Sequence, residues 1–251
     1  RDINKINQAY QYKFLTTNPT EETDMLFQLP VFLFTNDDVA LLLNADNHAQ
    51  LTIIERMMKL AKLFSRNDAV TEKLKNHLIA KAIQSVLFSN QNASGKKNDI
   101  ISSCQTPAFN MNTEIQGIGY TRRFSECFKI DSKGEFGESV LINEYIAKNL
   151  NEELESTIEV PSQAFFTLRD MEKALEFTLI GEGFLNNRLM QDSAIILKVR
   201  LHSIINSRNA LYFDIKQYIT LEQYISSLIV LNHRRSQIIN INLEDVDDNL
   251  A

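Results

Sequence analysis

The stretch that decides the fold is residues 48–65, HAQLTIIERMMKLAKLFS. Glu55, Lys59, Lys62 and Arg66 recur at helical spacing and form one narrow polar stripe. The remaining surface of the segment is Leu51, Ile53, Ile54, Met57, Met58, Leu60, Leu63 and Phe64. A helix apolar over so much of its circumference has to be buried on more than one side, which requires further helices around it.

The neighbouring sequence supplies them. Asn67 or Asp68 opens a second helix over 69–89, with Val70, Leu74, Leu78, Ala82, Ile83 and Val86 on its apolar side. The short connection makes the two an antiparallel pair. Upstream, Ile3, Ile6, Tyr10 and Phe14 give a helical reading of 2–15. Thr20 starts a short helix that Pro30 ends, and Thr35 to Asp38 caps another that runs to Leu43 before a turn at 44–47. Downstream, helices are expected at 139–155, at 168–180 after a Thr167–Asp170 cap, and at 186–207, which is apolar nearly all round from Ala194 to Ile205 and so belongs at the centre of the second half. Thr220 to Gln223 is a T-x-x-Q capping box for a helix over 221–233. Ile238 to Ile241 reads as a final strand or packed tail.

The middle is different. Residues 90–98 are polar and read as a loop. Phe128–Ile130, the turn Asp131-Ser132-Lys133-Gly134 and Glu135 onward read as strand, turn and strand, with Ile115 to Tyr120 as a third short strand. The expected fold is therefore mainly α: a helical domain, or two helical lobes, with a small antiparallel β insert near residues 115–138. The expected division is a helical part over 1–90, an irregular linker with the hairpin insert over 91–138, a helical part over 139–242 and an acidic tail over 243–251, with one integrated domain as the alternative.

Composition agrees. Only seven Gly and four Pro interrupt 251 residues, far fewer turn residues than an all-β sandwich needs. Net charge is −6, which argues against a protein built to hold nucleic acid by its phosphates. Cys104 and Cys127 are too few for a disulfide framework, and no CxxC or HExxH spacing occurs, so neither a metal nor a cofactor is expected. Residues 1–10 lack the apolar stretch of a signal peptide. The longest apolar stretch, Leu26 to Phe34, contains Gln28 and Pro30 and falls short of the roughly 20 residues that span a bilayer. The expected setting is cytoplasmic, or the host cell cytosol if the chain is a bacterial effector.

The segment from Gln116 to Glu126, QGIGYTRRFSE, is the principal candidate site. Gly117 and Gly119 permit close backbone approach. Arg122 and Arg123 are permanent cations with a fork that suits phosphate or carboxylate. Tyr120 and Phe124 are flat groups that stack on a ligand. The blander reading is a hairpin whose arginines pair with Glu126 or with water. Glu126, Glu135 and Glu138 are the candidate acid–base groups.

Each remaining feature has an ordinary explanation. His48, His77, His202 and His233 are the available bases for a thiol nucleophile, yet His77 is expected on the solvated side of its helix and His202 as a satisfied core group. The thiols are then buried and inert. Lys59, Lys62 and Arg66, and separately Arg188, Arg208, Arg234 and Arg235, are expected as solvated basic faces.

Two functions are weighed from these residues. The first is a protein-interaction or regulatory domain of a larger protein, such as a bacterial effector module, with another protein as its partner. The second is an enzyme acting on a phosphorylated or acidic substrate, with Arg122 and Arg123 as an anion clamp and a glutamate as acid or base. A third, weaker reading is peripheral membrane docking through the basic helices.

Overall fold

The computed structural model describes residues 12–22, 24–180, 188–243 and 246. Local capping explains where its first helices begin. Thr35 accepts from the Asp38 amide and Asp38 accepts from the Thr35 amide, a reciprocal box that opens α1 (Asn36–Leu42). Asn44 closes it at φ 48°. Asn47 accepts from the Gln50 amide at 2.9 Å and starts α2 (His48–Phe64). Asp68 accepts from the Thr71 amide at 2.8 Å and starts α3 (Ala69–Phe88).

As its broad apolar surface requires, α2 lies among α1, α8 (Leu168–Ile180) and α9 (Arg188–Asn206). Ile53, Ile54, Met57, Met58 and Ala61 are essentially inaccessible. Phe64 meets Phe177 of α8 edge-on, with ring centroids 5.0 Å apart. Helix α3 packs on α4 (Ala93–Ser103), α6 (Ser139–Asn149) and α8. One hydrophobic cluster runs from Val31 through both sets of helices to Phe213. The chain is mainly α, with ten α-helices and three small sheets among the described residues. None of these helices is long and apolar enough to cross a membrane.

Several elements differ from the sequence reading. The polar run after 90 is not a loop throughout: Asn92 accepts from the Gly95 amide at 2.8 Å and nucleates α4. Where one helix is expected over 139–155, α6 stops at Asn149 and α7 (Glu152–Thr157) follows. Around Gly134, at φ 82°, the expected turn forms, but its flanks share a single bridge between Ile130 and Phe136 instead of two strands. The antiparallel hairpin lies earlier, as β3 (Glu114–Gly117) and β4 (Tyr120–Arg123).

The part of the expected 2–15 helix that is described forms β1 (Tyr12–Thr16); the rest of that expectation lies outside the described residues, as does most of the acidic tail. Among the described residues between Thr20 and Pro30 no helix forms. Asp24 instead accepts from the amides of Thr20 and Glu21, and β2 (Met25–Leu26) follows. Helix α10 (Leu221–Ile229) has its T-x-x-Q box but ends four residues early. Asn232 and His233, both at positive φ, turn β5 (Val230–Leu231) back into β6 (Arg234–Arg235). Finally β7 (Ile238–Asn242) pairs with β1 in parallel, Tyr12 opposite Ile238 and Thr16 opposite Asn242, giving the order β2–β1–β7. Buried Lys13 projects from β1 and donates to the carbonyls of Ser227 and Val230 at the C-terminal end of α10. Burial holds its ammonium below the ordinary lysine value.

Helix α9 is the other correction. Ala194, Leu197 and Leu201 are buried, but Ile195, Ile196 and Val199 are exposed, so the helix lies on the surface with one apolar face inward and another outward.

Candidate functional site

The β3–β4 hairpin is rooted in an aromatic cluster. Ile115 of β3 faces inward, and directly after β4 the short helix α5 (Phe124–Cys127) drops Phe124 into the core. Phe124 lies edge-on to Phe128 at 4.9 Å and to Phe109 at 6.0 Å, and is fully inaccessible. It anchors the hairpin and has no face to offer a ligand. The Phe109 ring packs in turn on Tyr145 of α6, whose hydroxyl donates to the Ala108 carbonyl at 2.6 Å.

The outer surface of the hairpin is organised by Glu138, one residue before α6. The Tyr120 hydroxyl donates to its Oε2 at 3.0 Å, and Arg122 Nε donates to its Oε1 at 3.3 Å. The Arg122 guanidinium also stands 5.2 Å from the centre of the Tyr120 ring. Gly117 makes room for this stack: a Cβ there would lie 2.8 Å from Tyr120 Cζ. The hydrogen bond to Glu138, with desolvation behind it, raises the Tyr120 pKa, so the phenol stays a donor. At the tip, Gly119 takes φ 80°, a conformation strained for any residue with a Cβ. Beside it Ile118 is 95% exposed.

Tyr120, Arg122 and Glu138 are thus brought together, and the arginine's partner is Glu138 instead of Glu126. Arg123 is exposed; its amide donates to Glu126 Oε2 at 3.1 Å, so that carboxylate caps the first turn of α5. Glu135 stands apart in the turn, its amide bonded to Asp131 Oδ1 at 3.0 Å, and lines a cavity of about 260 Å³ beside Lys96 and Ser139. A larger cavity of about 850 Å³ lies between the α2–α3 corner and α8, edged by Glu72, Lys75, Asp170, Lys173 and Glu176. Its charges are largely committed: Lys75 to Glu72 at 2.7 Å, Glu176 to Lys198 at 2.8 Å, and Asp170 to the Thr167 cap. Sequence reasoning missed this cavity because residues from three distant segments line it.

Neither thiol has the lowered pKa of a nucleophile. Burial pushes the Cys104 thiol up to about 12 and also raises Cys127, with Glu138 and Glu126 adding to the effect. His77 is buried, not solvated: its Nδ1 accepts from the Asn151 amide at 3.0 Å, tying α3 to the α6–α7 connection. His202 is exposed, not a core group, and its Nδ1 lies 2.8 Å from Glu172 Oε1. Among the described residues no cluster of three or more His, Cys, Asp or Glu has the arrangement of a metal site. No protein-family model matches the chain, and a comparison with curated proteins finds no match.

Proposed function

We propose that the chain is a protein-interaction domain, set in a larger regulatory protein or a bacterial effector, that meets its partner through the β3–β4 hairpin. The observation that carries this reading is Ile118, an isoleucine 95% exposed at the tip of a hairpin whose root is buried. A large apolar side chain held out on a braced turn contributes to binding without first having to be ordered. Tyr120 and Arg122 flank it, and both types are enriched where binding energy concentrates. The stack on Gly117 and the bonds to Glu138 hold them in place before a partner arrives. The proposed setting is cytoplasmic, in the cell of origin or in a host.

The anion-clamp enzyme is the less supported reading. Arg122 already has its carboxylate in Glu138, and Tyr120, Arg122 and Arg123 line neither of the cavities described above. A clamp needs a vacant cation facing a concave space.

Photo-cross-linking tests the proposal. Benzoylphenylalanine is placed at position 118, and at position 88, also an exposed apolar side chain, as the control. The expected result is a protein cross-linked from 118 and not from 88, and lost when Arg122→Ala is added without change in melting temperature. Identical products from the two positions, or none from 118, would overturn it.

A further inference from the structure

We infer that the outward face of α9 pairs with the same face of a second copy of this chain, antiparallel about a twofold axis near Leu197. The face is contiguous. Ile195 is 57% exposed, Val199 62% and Ile196 43%, and these three occupy adjoining positions on one side of the helix. Single exposed apolar residues are ordinary, but three together on a rigid helix form a patch that water covers poorly. The opposite face, with Ala194, Leu197 and Leu201, is fixed in the core. Arg200 donates to the Leu43 carbonyl at 2.9 Å and Lys198 pairs with Glu176, so the helix cannot roll to bury the stripe.

The polar residues at the two ends of the stripe point to a second copy as the occupant. A twofold pair requires a surface that matches itself, each residue i meeting residue j while j meets i. In an antiparallel pair centred near Leu197, Ile195 of one chain faces Val199 of the other, and exposed Asp192 faces exposed His202. The acid and the base are therefore placed across from each other at both ends. His202 is already set for this role: its Nδ1 is engaged by Glu172 of α8 at 2.8 Å, which turns Nε2 outward. Between Glu172 and the second copy's aspartate, each ring nitrogen then has a polar partner. A parallel arrangement would set Asp192 against Asp192 and lose the match. A single helix pair buries less than a permanent interface, so association in the micromolar range is expected.

The experiment has two arms on the full chain. Sedimentation velocity over a concentration series is expected to show a monomer–dimer equilibrium, weakened about tenfold or more by Val199→Asp, which places an unpaired charge in the seam. Separately, an Ile195→Cys variant is mixed with a Val199→Cys variant under mild oxidation. The expected product is a disulfide-linked heterodimer, which a mixture of Phe88→Cys with Val199→Cys does not give. Circular dichroism checks that each variant retains the wild-type melting temperature. A monomer at every concentration, or a dimer that Val199→Asp leaves intact, would overturn the inference. Neither arm involves the β3–β4 hairpin.

Discussion

Glu138 and Phe124 lie at opposite sides of the same hairpin, and their removal should have very different consequences. Glu138 bonds Tyr120 and Arg122 at an exposed surface, where water replaces lost partners readily. Glu138→Ala is expected to cost about 0–1 kcal/mol of stability. Phe124 is fully inaccessible among Phe109, Phe128 and Tyr145. Phe124→Ala is expected to cost about 3–5 kcal/mol, from lost transfer energy and the cavity left behind. Urea denaturation of the two variants checks both values; similar losses would mean that Phe124 is not in the core. From sequence Phe124 was a stacking candidate and Glu138 an acid–base candidate, and a phenylalanine beside two arginines is as compatible with a ligand platform as with an anchor. Burial separates them, and burial depends on Phe109 and Tyr145, which are remote in sequence.

Among the elements, helix starts were the most legible feature. Thr35–Asp38, Asp68, Thr167–Asp170 and Thr220–Gln223 all cap as their residue types require, because a cap is satisfied within four residues of its own helix. The same caps carry a pH dependence. Hydrogen bonds from the Thr35 backbone and hydroxyl hold Asp38 below the ordinary carboxylate value of 3.8, and bonds from Thr71 do the same for Asp68. A carboxylate with a depressed folded value stabilises above its unfolded value, and that contribution is lost as pH falls through the folded one. Both groups are exposed, so the effect is small. The double variant Asp38→Asn/Asp68→Asn is expected to melt slightly below wild type at pH 7 and to match it near pH 2. Thermal melts at the two pH values measure the difference. Helix ends were less legible: α10 stops at Ile229 because Lys13, more than 200 residues earlier, takes up the carbonyls of Ser227 and Val230.

For the whole molecule, the β1–β7 pairing joins the two ends of the described chain. It places Leu15 in the core and holds Lys13 against α10. Truncation after Ser236 is therefore expected to lower the melting temperature by about 4 °C or more, and not merely to remove a tail. Circular dichroism of the truncated chain tests this, and an unchanged melt would show that β1 is held without β7. The candidate site depends on the same kind of distant joining: Glu138 reaches the hairpin because α6 packs beside β3 and α5.

The sequence by itself determined the helical class, the two central helices and their caps, the turn at Gly134 and the strand-forming character of 238–241. Each of these is set by periodicity or by hydrogen bonds that close within a few residues. Tertiary structure alone decided the parallel sheet, the partner of Arg122, the burial of His77 and which face of α9 is left in water. An α9 that is apolar all round has no inward side until α2 and α8 are in place. Likewise a glutamate has no defined role until the chain returns to meet it. The physical reason is the same in each case: faces and partners belong to packing between segments far apart in the chain, and local propensity does not encode it.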